Sequence, residues 1–355
     1  MPLQPHLERC RKYLDRCRFH PEEKRILAIG DSWLSLPGNL WPGKNVVELL
    51  KDREWTASHG ARPMNVLSFA HPGKELKHMA RDIDLHQALA FLQDLGDRRR
   101  IEYRFEAVIV TGGGNDILPF PDRYIGGPHG TGAILEGPLS AAMDDITASW
   151  RDLLKLVAPW ECPVIAHGYG PVTPTRKSGD IIIPFLGIGP WVGKYLLDEL
   201  GLTVARGKEL IGAVIDRLNA TMDAIDGLTW FDARAVVDAI APADWHDEIH
   251  FFEPGWKKLT ERWLEAIDAA IGHAPVSAVA TARRAGRRKA VDLTPQFKAL
   301  KPFTRDAVNE ALARDEAAPK RAGKRAVAKK AAATKPVAKK AATKKAAAEK
   351  AKPRR

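Results

Sequence analysis

Five short apolar runs, separated by longer stretches in which apolar residues recur every three to four positions, set the plan of this chain. The runs cover residues 26–29, 66–70, 105–111, 163–167 and 228–231, and each reads as a buried β-strand. The stretches between them read as helices. Residues 74–95 carry Leu76, Met79, Ile83 and Leu92 on one stripe, and 139–156 carry Ile146, Trp150 and Leu153. Residues 209–225 carry Leu210, Val214, Leu218 and Met222, and 254–271 carry Leu259, Trp263 and Ile267. Strands alternating with helices predict an α/β domain, a mostly parallel five-stranded sheet with helices on both faces.

Two irregular insertions, 118–138 and 168–189, follow predicted strand ends and should overhang the edge where open α/β sheets bind ligands. Their length and apolar content suit lids or pocket walls. The first holds Gly126-Gly-Pro-His-Gly-Thr-Gly132. It neither opens a helix directly after a strand nor ends in Gly-Lys-Ser/Thr, so a flexible loop is the better reading than a phosphate cradle.

The pattern changes after residue 273. Residues 274–319 read as a linker in which 306–314 has the makings of a short helix, and 320–355 is low-complexity Lys, Ala, Thr and Pro. That last segment holds 15 basic residues and one acidic residue, Glu349; the other 319 residues hold 40 basic and 43 acidic. The formal net charge of +11 therefore belongs to a tail expected to be disordered, and the body is mildly acidic. Residues 1–24 read as an N-terminal helical extension ahead of a domain at 25–273. The N-terminus is dense in charge, with no apolar core of a signal peptide, and no run reaches the length of a membrane span. Three cysteines without regular spacing suit a reducing compartment, so the cytoplasm is the expected location.

The chemistry gathers at the strand ends. Gly30-Asp-Ser-Trp33 follows the first run, which places the Ser32 hydroxyl at the sheet edge. A serine needs an adjacent base, and His250 in Asp247-Glu-Ile-His250 is the candidate, with Asp247 three residues earlier to orient it. His246 is a competing base that lacks the Asp at that spacing. Gly112-Gly-Gly114-Asn115-Asp116 follows the third run and presents Asn115 to a developing oxyanion. Gly73, after the second run, offers a second backbone donor, and the Ser32 N–H a third. Trp33, Gly114 and Asp116 are expected beside the substrate, with Asp31 and Asp116 holding loops through backbone N–H groups. Trp191, His71 and His129 are further pocket candidates; Trp150, Trp230 and Trp263 fall on core-facing positions. No His, Cys or Asp cluster has metal-ligand spacing, and the chemistry calls for no cofactor.

With Ser32, Gly73, Asn115 and His250 in this order, residues 25–272 resemble the SGNH hydrolases, the GDSL-like esterase and lipase superfamily. The resemblance implies a flavodoxin-like three-layer α/β/α sandwich and a Ser32-His250-Asp247 esterase acting on a small-molecule ester through an acyl-enzyme. Trp33 departs from it, standing where the family usually has leucine. The tail is similar in composition to histone H1-like bacterial tails, which implies binding to nucleic acid or another polyanion without base readout. Two other readings stay open: a catalytically idle hydrolase-fold scaffold associated with DNA or granules, and an acyltransferase.

Overall fold

The computed structural model describes residues 4–36, 43–176 and 190–273. The linker at 274–319, the basic tail at 320–355 and positions 177–189 of the second insertion lie outside the described residues.

Five strands form the central sheet: β1 (Lys24–Ile29), β2 (Met64–Ser68), β3 (Ala107–Val110), β4 (Val164–His167) and β5 (Leu228–Phe231). Their order is β2-β1-β3-β4-β5 and every neighbouring pair is parallel. β3 and β4 are buried along their whole length, and β1 is buried at all positions but one. A strand covered on both faces has no polar alternation, which is why these segments appear in the sequence as unbroken apolar runs. β5, at the far edge, is half exposed.

The long helices are α1 (Pro5–Phe19), α2 (Ile83–Arg99), α3 (Glu136–Val157), α4 (Val204–Asp223) and α5 (Glu253–His273). They complete a three-layer α/β/α sandwich, with α3 against α4 and α5 against the short helix Val46–Lys51. α1 packs on α2 and β2, burying Cys10, Tyr13, Leu14 and Cys17. Tyr13 donates to the Tyr103 carbonyl at 3.0 Å, and Asn65 Nδ2 donates to the Tyr13 carbonyl at 3.0 Å. The N-terminal helix is thus part of the domain's core. The three cysteines are free, and burial pushes the Cys10 thiol up to about 12 and Cys17 to about 11.

The single helix expected at 74–95 is broken in two. Leu76–Met79 is one turn, and α2 starts afresh where the Asp82 carboxylate accepts the N–H groups of Asp84 (2.9 Å) and Leu85 (3.3 Å). The glycine-rich segment is the turn of a small antiparallel ribbon, Ile125–Gly126 with Ala133–Ile134. Its backbone is engaged within the protein: Gly130 N–H bonds the Leu200 carbonyl, and Arg206 caps the carbonyls of Thr131 and Gly132. This agrees with a loop and not with a phosphate cradle.

Switch points in strand order leave a crevice at the carboxyl ends of a parallel sheet. Here that point lies between β1 and β3, where the chain continues into Gly30–Ser32 and Gly112–Asn115.

Candidate active site

β1 ends against β3 so closely that a Cβ on Gly30 would collide with the Thr111 hydroxyl. From there the chain makes one helical turn: the Asp31 carbonyl accepts the N–H groups of Leu34 and Ser35, both at 3.2 Å. The turn is fixed by the Asp31 carboxylate. Oδ1 accepts the Trp33 N–H (2.9 Å) and the Thr111 hydroxyl (2.8 Å), and Oδ2 accepts the Tyr169 hydroxyl (2.8 Å). Burial raises the Asp31 pKa, and these three donors oppose that rise. Ser32 sits on this turn, 5 % exposed.

The opposite wall is the turn 245–251, closed by an antiparallel bridge between Trp245 and Phe251 and by the His246 N–H on the His250 carbonyl (2.9 Å). Within it Asp247 Oδ1 accepts the N–H groups of Ile249 (2.8 Å) and His250 (2.9 Å), the Asx arrangement of a short loop. Asp247 Oδ2 lies 2.8 Å from His250 Nδ1, and His250 Nε2 lies 2.8 Å from Ser32 Oγ. A carboxylate only accepts, so Nδ1 carries the proton and Nε2 is left to accept from the serine hydroxyl. Burial alone would raise the Asp247 carboxyl. The positive charge that His250 takes up on protonation and the donors His246, His250 and Ile249 outweigh it and hold the carboxyl well below the usual range. His246 approaches the same Oδ2 at 3.4 Å. It therefore stands behind Asp247, while His250 alone of the two bonds Ser32.

β3 delivers the third wall. Gly113 takes φ +104, a left-handed conformation that only glycine adopts without strain, and so starts the short helix Gly114–Ile117. Asn115 and Asp116 stitch this helix to the loop after β2: Asn115 Nδ2 donates to the Lys74 carbonyl at 3.3 Å, and Asp116 Oδ2 accepts the Leu76 N–H at 2.9 Å. Burial pushes the Asp116 carboxyl up to about 6. Gly73 is exposed with φ +75, and nothing lies within 4 Å of where its Cβ would be. The β2 loop is tied to the Ser32 turn by the His71 N–H on the Gly30 carbonyl at 2.8 Å. Among the described residues the N–H groups of Ser32 and Gly73 have no acceptor.

Two pocket expectations need correction. Trp33 is only 3 % exposed, packed among His167, Tyr169, Phe251 and Trp256 with ring centroids 5.2–6.2 Å away. It lies in an aromatic cluster that covers nearly all of its ring, where so large an apolar group gains most from burial. Gly114 is also buried; a Cβ there would come within 2.6 Å of the Tyr169 ring. Its part is to let Tyr169 pass and reach Asp31. His71 and His129 are exposed loop residues. Trp150 and Trp263 are fully buried, as their helical positions imply.

Sequence patterns do not disclose Thr111, Tyr169 or Glu248. The first two are 80 and 138 residues from Asp31, which they bond. Glu248, beside Asp247, binds backbone N–H groups of two distant segments. Spacing also misses the one cluster among the described residues with ion-binding geometry, His20, Glu22 and Glu23. It lies at the end of α1, and its Glu23 is already bonded to Arg16 and Arg53.

No protein-family model and no curated protein sequence matches the chain. It is similar to the solved structure of a GDSL-like lipase from Bacteroides thetaiotaomicron, at 12% identity over 74% of this chain and 99% of that one, with a TM-score of 0.37. It is also similar to an acetylxylan esterase from Geobacillus stearothermophilus, at 16% identity over 69% of this chain and 94% of that one, TM-score 0.34. A third is a carbohydrate esterase family 3 protein from Talaromyces cellulolyticus, at 12% identity over 70% of this chain and 98% of that one, TM-score 0.38.

Proposed function

We propose that this protein is a serine hydrolase of the SGNH type that cleaves carboxylic esters. The observation that carries the reading is the continuous hydrogen-bonded chain from Asp247 through His250 to Ser32, at 2.8 Å and 2.8 Å, on the carboxyl edge of a parallel sheet. In this mechanism Ser32 Oγ attacks the ester carbonyl carbon as its proton passes to His250 Nε2. Asp247 stabilises the imidazolium without taking its proton. The oxyanion is held by the N–H groups of Ser32 and Gly73 and by Asn115 Nδ2, which exchanges its long bond to the Lys74 carbonyl for the new charge. Such donors typically supply about 3–4 kcal/mol each. His250 returns the proton to the leaving alcohol, and water, deprotonated by the same imidazole, releases the acid from Ser32.

The proposal extends to the tail. Its 15 cations in residues 320–355, without an aromatic residue, suit attachment of the hydrolase domain to a polyanion by counterion release.

The test is turnover of p-nitrophenyl acetate by the wild-type chain and by Ser32→Ala. Loss of turnover in the variant at unchanged melting temperature is the expected result; equal turnover would remove Ser32 from the mechanism. Deleting 320–355 is expected to abolish DNA retardation while leaving ester turnover intact, and retardation that survives the deletion would exclude the tail.

A further inference from the structure

Glu248 is a buried carboxylate with an unusual set of partners. It is 2 % exposed, and among the described residues it pairs with no lysine or arginine. Among the described residues its hydrogen bonds all come from backbone N–H groups. Oε1 accepts the N–H groups of Thr175 (2.7 Å) and Gly193 (2.8 Å), and Oε2 accepts that of Val192 (2.9 Å). Residues 191–193 lead into the helical turn Lys194–Glu199, so their N–H groups are donors that the turn itself leaves unpaired. Gly193 is shaped to this contact: a Cβ there would run into the Thr175 carbonyl and come within 2.6 Å of Glu248 Oε1.

The position of Glu248 in the chain gives these bonds a consequence. It lies between Asp247 and His250, in a turn whose own bonds are local: the His246 N–H on the His250 carbonyl (2.9 Å), the Trp245–Phe251 bridge and the two N–H groups on Asp247 Oδ1. The bonds of Glu248 instead reach segments 55 to 73 residues away in sequence. We propose that Glu248 is a positioning residue for ester cleavage: by binding the chain at Thr175 and at Val192–Gly193 it fixes the Asp247–His250 turn over Ser32. This rests on the reading of Ser32 as the nucleophile. A carboxylate accepts at both oxygens, whereas an amide accepts at one and sets its NH2 against a backbone N–H. Misplacing a base by a fraction of an ångström acts on the rate of proton removal from Ser32 more than on substrate binding.

The test is Glu248→Gln, read by the rate at which a fluorophosphonate labels Ser32 and by kcat and KM on p-nitrophenyl acetate. The expected result is a labelling rate and a kcat lower by about 10- to 100-fold per folded molecule, with KM within about 2-fold of wild type. A folded variant that labels at the wild-type rate overturns the proposal, whatever its melting temperature. Amide hydrogen exchange on the wild-type chain decides the matter if the variant does not fold. The N–H groups of Thr175, Val192 and Gly193 are expected to be protected together with those of Ile249 and His250. Free exchange of the first three beside a protected pair would overturn it. A wild-type chain that the fluorophosphonate does not label would instead count against the hydrolase reading, and the exchange measurement would still decide whether Glu248 anchors the turn.

Discussion

Asp247 grips His250 at two points: Oδ1 accepts its backbone N–H at 2.9 Å, and Oδ2 lies 2.8 Å from its ring Nδ1. One carboxylate therefore sets both the path of the chain and the tilt of the imidazole. The three-residue spacing makes this reach available on a loop, where the backbone is free to curl around a side chain. The remaining ring nitrogen meets Ser32 Oγ at 2.8 Å as a result.

Asp247→Asn is expected to keep the fold and lower kcat by about 10³- to 10⁴-fold, because an amide no longer dictates which ring nitrogen carries the proton. Steady-state kinetics on p-nitrophenyl acetate read this directly. The same carboxyl, held well below its ordinary range, contributes stability that is present above its unfolded value of about 3.9 and is lost as pH falls below it. The melting-temperature gap between wild type and Asp247→Asn should therefore narrow below about pH 4.

Asp116 has the opposite sign. Burial pushes its carboxyl up to about 6, so between about pH 4 and that value the folded chain binds more proton than the unfolded one. Its contribution to stability falls as pH rises through this window. Wild type should lose melting temperature relative to Asp116→Asn from pH 4 to 6, and parallel curves would refute the assignment.

Trp33→Leu, which installs the residue usual in the resembled family, should destabilise the chain. The ring fills the space between His167, Tyr169, Phe251 and Trp256. Removing it leaves a cavity, with an expected loss of about 2–4 kcal/mol in denaturant unfolding.

The strands were legible because β1, β3 and β4 are buried on both faces and so contain runs of apolar residues without polar breaks. Of the candidate site residues, Ser32, Gly73 and Asn115 each follow a strand run within a few positions, whereas Asp247 and His250 stand well past β5 and are marked only by their own three-residue spacing. Other features had local signals that periodicity overlooks. Asn45 and Glu48 form a capping box that starts Val46–Lys51, and Asp82 caps α2 and so breaks the expected helix. Contacts between distant segments leave no such mark. Nothing near Tyr169 in sequence signals that its hydroxyl reaches Asp31, and nothing near Glu248 signals Thr175. Trp33 was misplaced for a related reason. Its neighbours in sequence are candidate site residues, whereas its neighbours in space come from β4, the loop after it, and the start of α5.

The central claim is that Ser32 is a nucleophile activated by His250. Reaction with a fluorophosphonate, followed by intact and peptide mass spectrometry, tests it most directly. The account predicts one adduct, on the peptide that contains Ser32, formed by wild type, absent in Ser32→Ala and greatly slowed in His250→Ala. An adduct on another residue, or equal labelling of wild type and Ser32→Ala, would contradict it.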